Sequence, residues 1–303
     1  MTAQPDAPQV PAGQAPEGIA GAETLRLPGF GVDLHAVAAG PPGGPVVFLL
    51  HGFPEFWWAW RRQIGPLAAA GLRVVAPDLR GYNLSAKPRD VAAYALDTAA
   101  EDVPRMAEAL GRDRFAVVGH DWGALIAWHL AARGEPRLER AAILNGPHPA
   151  ALSRFLASHP WQVLRLSYFA AFQVPLLPET VLRAGNFAAL AGAMRATAGT
   201  GSFTAAELAR YRAAWARPGA LAAMLNWYRA ALRHRPRIEE RRIATPIRII
   251  WGDRDIALDA RLAEAGQALC EQAEVFHLPD ATHWLHHDRP EDVNRLLLDF
   301  LLA

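Results

Sequence analysis

The chain has 303 residues, of which 51% are hydrophobic and 20% charged, enough apolar material for one large core or a core with a subdomain and too much for a disordered chain. With 31 basic and 30 acidic residues the formal charge is +1, so no global field points to nucleic acid or to an anionic membrane. No apolar run reaches the ~18–20 residues of a transmembrane helix, and Cys270, the single cysteine, excludes an intramolecular disulfide and fits a reducing compartment. The expected location is the cytoplasm.

Residues 1–20 are rich in Pro, Ala and Gly, without the basic and apolar regions of a secretory signal, and read as a loose tail. Glu23–Leu27 and the VDLHAVAAG stretch after it read as an antiparallel hairpin at a sheet edge. Short apolar runs then recur at Val46–Leu50, Val74–Ala76, Phe115–Val118, Ala141–Leu144, Ile247–Trp251 and Glu274–Leu278. Stretches of helical period such as Thr98–Leu110 and Trp122–Arg133 separate several of them. Strands alternating with helices imply an α/β protein whose mostly parallel sheet is covered on both faces. The alternation stops after Asn145: residues 147–240 carry no strand-like run and read as helices punctuated by prolines. The expected organisation is a core of residues 21–146 and 241–303 with a helical cap, 147–240, inserted between two core strands. Lys87 is the only lysine; the arginine bias reads as genome composition, and the cluster from Arg233 to Arg242 as a solvated connection.

Gly119-His120-Asp121-Trp122-Gly123 stands between a strand and a helix. A Gly-x-Asp-x-Gly string alone is a polar turn; in strand–turn–helix context it is the pattern of a nucleophile elbow, with Asp where Ser is common. A carboxylate, with a reference pKa of about 3.9, needs no base to be a nucleophile at neutral pH. It can displace a leaving group at an sp³ carbon and leave an alkyl ester, which a His-activated water then hydrolyses. That chemistry needs a histidine, an acid to orient it, and amide donors for the tetrahedral oxyanion. His283 follows the last apolar run and precedes a C-terminal helix; His286 and His287 are rivals by composition, and His283 is preferred because it directly follows the turn residues. Asp253 and Asp255 both follow the Ile247–Trp251 strand, and Asp255 is preferred; the order nucleophile, acid, histidine is the one this arrangement requires. His51-Gly52-Phe53-Pro54 follows Val46–Leu50, which places the Phe53 amide as one oxyanion donor and the Trp122 amide as the other. Pro54 fits a cis-proline in this turn.

HGFPEFWWAWR (His51–Arg61), PDLRGYNLSAKP (Pro77–Pro88), VGHDWGA (Val118–Ala124), WGDRD (Trp251–Asp255) and ATHWLHHDRPEDVN (Ala281–Asn294) complete the signal. From about Leu25 to the C-terminus the chain resembles the epoxide hydrolase branch of the α/β-hydrolase-fold superfamily, the Asp-nucleophile group that also contains haloalkane and haloacid dehalogenases. The resemblance implies the α/β-hydrolase fold and the opening of epoxides to vicinal diols through an ester on Asp121. It also implies two cap tyrosines that donate to the epoxide oxygen. Of the five tyrosines, Tyr168 and Tyr228 fall in the segments similar to those of the family, although the first segment departs from the usual pattern after Pro175. Phe172, Trp227 and Phe187 are expected as hydrophobes of the substrate pocket. The expected substrates are a small hydrophobic epoxide and water, with no metal, cofactor, nucleic acid or membrane involved. A haloalkane enzyme wants side-chain N–H donors for halide: Trp122 supplies one, and Phe53 stands where Asn is often found. A haloacetate enzyme wants arginines beside the nucleophile, where Trp122 and Leu125 stand instead. A non-catalytic small-molecule receptor on this fold is the remote alternative; it would be expected to lose part of the triad or the tyrosines.

Overall fold

The computed structural model describes residues 18–234, 236 and 242–303. The expected tail lies almost wholly outside them, as does most of the arginine-rich stretch from 233 to 242. Eight strands form one sheet: β1 (Glu23–Pro28), β2 (Asp33–Ala39), β3 (Val46–Leu50), β4 (Arg73–Pro77), β5 (Phe115–His120), β6 (Leu138–Leu144), β7 (Ile247–Gly252) and β8 (Ala273–Leu278). Their order is β1-β2-β4-β3-β5-β6-β7-β8. β1 pairs with β2 and β2 with β4 antiparallel, giving the expected edge hairpin; every later pairing is parallel. Every residue of β3, β4, β5 and β7 is buried, as strands covered on both faces must be.

The helices of the first half are α1 (Ile64–Ala69), α2 (Leu96–Ala100), α3 (Asp102–Ala109) and α4 (Trp122–Ala132). The single helix expected over Thr98–Leu110 is divided between α2 and α3 at Glu101. Ten of the eleven residues of α4 are buried, because it runs behind the sheet centre with apolar side chains all round. Between β6 and β7 come six helices: α5 (Pro149–Ser158), α6 (Pro160–Arg165), α7 (Tyr168–Ala171), α8 (Leu177–Thr197), α9 (Ala205–Trp215) and α10 (Ala220–Arg233). α8 is interrupted at Ala184–Phe187, where Gly185, Asn186 and Phe187 have positive φ. α9 opens on a capping box, Thr204 and Glu207 each holding the other's backbone N–H. The chain ends in α11 (Leu262–Gln267), α12 (Leu285–Asp288) and α13 (Pro290–Leu301). Among the described residues no helix is long and apolar enough to cross a membrane.

The loop after β4 is tied down by a buried ion pair. Arg80 holds Asp102 through Nε at 2.8 Å and Nη2 at 2.6 Å, and also donates to the carbonyls of Ala93 and Phe30. The Arg80 carbonyl in turn accepts the Trp227 indole N–H of α10 at 3.1 Å, so this loop supports the helical insert. Removing one member of such a pair strands a charge in the interior. Asp102→Ala is therefore expected to destabilise the fold by about 3–5 kcal/mol, measured by urea denaturation; a change within experimental scatter of zero would contradict this account.

Candidate active site

The elbow is built by close backbone approach. Asp121 sits between β5 and α4 with φ 51° and ψ −116°, a region that non-glycine residues occupy only when their surroundings enforce it. A Cβ on Gly119 would lie 2.2 Å from the Gly123 carbonyl oxygen, and one on Gly123 would lie 2.0 Å from that of Leu50. Both glycines are thus packing requirements of the turn. The Asp121 N–H donates to Leu144 O at 3.3 Å and that of Gly123 to His51 O at 3.1 Å, which moors the turn to the ends of β6 and β3.

The loop after β3 meets the Asp121 side chain. Phe53 N–H donates to Asp121 Oδ1 at 2.8 Å, and a Cβ on Gly52 would fall 2.3 Å from that carboxylate. The Phe53–Pro54 peptide bond is cis. His51 Nε2 accepts the Leu79 N–H at 3.0 Å, so its proton is on Nδ1, donated to Gly52 O at 3.0 Å. Trp122 is the first residue of α4, and among the described residues its buried indole N–H has no hydrogen-bond partner within 3.5 Å.

His283 Nε2 lies 3.9 Å from Asp121 Oδ2, and its Nδ1 lies 2.7 Å from Asp255 Oδ2. Asp255 also accepts Asn145 Nδ2 at 2.8 Å and, on its other oxygen, the amides of Ala257 and Leu258 at 2.8 and 3.0 Å. Burial alone would favour the neutral acid, yet His283, Asn145 and the Leu258 amide hold the Asp255 pKa below its ordinary value. For His283, burial opposes the imidazolium, but the Asp255 contact and the Asp121 charge outweigh it and raise the pKa to about 9. Asp253 is elsewhere: it pairs with His277 at 2.5 Å. His286 and His287 face the buried Glu55, at 3.3 and 2.7 Å.

An aromatic set covers the carboxylate from the insert. The rings of Tyr168 and Tyr228 lie 5.8 Å apart, and Tyr228 packs edge-on at 5.0 Å to Trp122 and 5.1 Å to Phe53. Burial, reinforced by Asp121, raises both phenol pKa values above the ordinary range, so both stay protonated and can donate. Phe172 is 5.0 Å from Tyr228, and Trp227 is 5.6 Å from Trp122. Phe187 is not placed with these rings; its ring contact is Trp215, at 5.8 Å. Phe169, which the sequence reading missed, packs on Tyr228 at 4.7 Å and on Trp122 at 6.1 Å.

Asn145 was also missed. Besides holding Asp255 it accepts the Gly252 N–H at 2.7 Å, so one side chain bridges the ends of β6 and β7. Its signal was an Asn-Gly pair closing a strand run. Among the described residues, Glu55, His286 and His287 form the one group whose donor atoms lie close enough together to surround an ion, within 4.8 Å. Glu55 Oε1 is already held by Tyr211 Oη and His287 Nε2 at 2.7 Å each, and the Arg61 guanidinium lies 2.9 Å from His287 Nδ1. A cation beside that guanidinium would be repelled; the chemistry fits a hydrogen-bonded anion.

The family model of the α/β hydrolase fold matches residues 45–290. The chain is 42% identical over 275 residues to the AB hydrolase superfamily protein YfhM of Bacillus subtilis (strain 168), covering 89% of this chain and 95% of that protein. It is 34% identical to epoxide hydrolase 4 of Mus musculus, covering 91% and 78% of the two chains. Among solved structures it is similar to the Bacillus megaterium epoxide hydrolase crystallised with an inhibitor, with a TM-score of 0.84, 30% identity, and 92% and 100% of the chains covered.

Two outcomes are expected of the site. Gly52→Ala pushes the Asp121 carboxylate aside, and a displacement of about 1 Å can cost roughly 100-fold in turnover; unchanged kcat in the purified variant would refute this. The second concerns pH. The folded-state pKa of His283 is raised from 6.5 to about 9, so its stabilisation is full below 6.5 and lost as pH rises through about 9. The thermal midpoint is expected to fall across that interval, and Asp255→Asn to flatten the fall; parallel curves for the two proteins would contradict it.

Proposed function

The chain belongs to the α/β-hydrolase-fold family, and on that premise we propose that it hydrolyses epoxides to vicinal diols through an ester on Asp121. The observation that supports this reading is one aromatic set in which the Tyr168 and Tyr228 rings lie 5.8 Å apart and Tyr228 packs on Trp122, the residue after a carboxylate that has His283 and Asp255 beside it. The named epoxide hydrolases among its relatives support the same substrate class.

Asp121 Oδ1 is engaged by the Phe53 amide, which leaves Oδ2 as the attacking atom. Oδ2 displaces the ring oxygen from an epoxide carbon: the new C–O bond forms as the old one breaks. The ring oxygen takes a proton from Tyr168 or Tyr228 and becomes a hydroxyl. Ester formation removes the negative charge 3.9 Å from His283 Nε2, so the imidazole pKa falls; its proton passes by way of water to the phenolate, and the neutral ring can act as a base. His283 then takes a proton from water, and the hydroxide adds to the ester carbonyl. Oδ1, now the oxyanion, is held by the amides of Phe53 and Trp122. Collapse expels the alkoxide, which takes its proton from His283; the Asp121 acid so formed gives its own proton to the imidazole, which restores the carboxylate and the imidazolium. No step calls for a metal or cofactor.

One observation favours a second reading: the buried, unpartnered indole N–H of Trp122 could hold a departing halide. A dehalogenase needs a second side-chain donor, and Phe53 offers none. Incubation with aryl and alkyl epoxides, bromoalkanes and fluoroacetate decides between them; diol is expected from epoxides, and halide release without diol would overturn the proposal. His283→Gln should accumulate the ester, seen as a mass increase on intact protein. Tyr168→Phe together with Tyr228→Phe should slow ring opening by about 10²–10⁴-fold. In the wild type the rate of ester breakdown should rise with pH, with an apparent pKa below the 9 of the free enzyme.

A further inference from the structure

Tyr168 and Tyr228, the two donors of the proposed ring opening, stand on unequal supports. Tyr228 stands on α10, which buries ten of its fourteen residues and is held by the core. Tyr168 stands on α7, a single turn of four residues, none of them fully buried. One helical turn has no stability of its own in water, so α7 depends on the packing of Tyr168 and Phe169 in the aromatic set and on polar ties of the chain that follows it. Packing of rings resists sliding less than directional bonds do, and most of the polar ties come from one side chain.

Arg229, next in sequence to Tyr228, is buried and turns back toward the chain after α7. Its Nε donates to Phe172 O at 3.0 Å and its Nη2 to Val174 O at 3.3 Å. Nη2 also pairs with Glu179 Oε1 at 2.8 Å, and Nη1 donates to Asn226 Oδ1 at 3.2 Å. Gln173 adds a second tie from the other side, donating to Tyr228 O and to Phe169 O, both at 3.1 Å. We infer that Arg229 is a positioning residue: its guanidinium joins the chain after α7 to α10 and so fixes Tyr168 relative to Tyr228. The planar fork matters, because it serves several acceptors in different directions at once, whereas a lysine ammonium is a compact charge on a flexible stem. The inference rests on the reading of the two tyrosines as donors to the epoxide oxygen. A joint that slackened by an ångström would leave one phenol out of reach in the ring-opening step and would not touch His283 or Asp255.

Single-turnover kinetics with styrene oxide, resolving ring opening from ester breakdown, test this. Arg229→Lys and Arg229→Met are expected to slow ring opening by roughly 10–100-fold while ester breakdown is unchanged. Combined with Tyr168→Phe, Arg229→Met should add nothing further, since both changes remove the same donor. Gln173→Leu, which strands no charge, should slow the same step and decides the matter if the Arg229 variants do not fold. Ring opening at the wild-type rate, equal slowing of both steps, or losses that multiply with Tyr168→Phe would each overturn the inference. The premise fails separately: if Tyr168→Phe alone leaves ring opening unchanged, the tyrosine assignment is wrong whatever Arg229 does.

Discussion

The structure depends on the contact between the first turn of α4 and the carbonyl end of β3. Gly123 passes so near the Leu50 carbonyl that no side chain fits, and Gly119 passes as near to Gly123. Those approaches force Asp121 into a left-handed conformation with its side chain facing out of the sheet edge. The same turn is hydrogen-bonded to His51 and Leu144, so the ends of β3, β5 and β6 share one geometry. Asn145 extends it to β7 and to Asp255. The strain at one residue is offset by the packing of four strand ends.

Electrostatics then separates histidines that look alike in composition. Burial is the largest influence on His120, His283, His286 and His287. It wins at His120 and His286, whose pKa values fall to about 4, and it wins at His287. At His283 it loses, because Asp255 is 2.7 Å away and Asp121 adds a second negative charge. The neutral rings pack around Glu55, behind the reacting face, and His120 Nε2 donates to the His283 carbonyl at 2.9 Å. One imidazole is thus left to change its charge in the pocket while the others hold its loop.

What could be read in the sequence follows the same division. Constraints on the backbone leave local marks: glycines at 119 and 123, proline after Phe53, and apolar runs where strands are covered on both faces. The sheet and the elbow were legible for that reason. Side-chain partnerships across the chain leave none. Asn145 meets Asp255 and Glu55 meets His287 over separations of 110 and 232 residues, and nothing near either residue announces its partner. Phe187 shows the same limit: its sequence reads equally as a pocket or a core hydrophobe, and only the positive φ run from Gly185 to Phe187, which sets it on Trp215, gives its surroundings. Position directly after the turn residues favours His283 over its two neighbours, and it is His283 that lies beside Asp121 and Asp255 while they face Glu55.

The helical insert is bonded to the core at the loops that carry Phe53, Asp255 and His283. Trp215 donates to Pro54 O at 2.6 Å and Tyr211 to Glu55 at 2.7 Å, beside the Phe53 amide. Gln162 donates to Ala257 O at 2.6 Å and accepts the Asp259 amide at 3.0 Å, beside Asp255. Ser202 Oγ and the Gly199 amide donate to Asp288 at 2.5 and 2.9 Å, and the same carboxylate receives Thr282 next to His283. The loops of Phe53, Asp255 and His283 therefore each have a partner in the insert. A covering segment held in this way sets the position of the groups beneath it as well as the shape of the pocket above them. Changes within it reach the reaction through those loops, even where they touch no substrate.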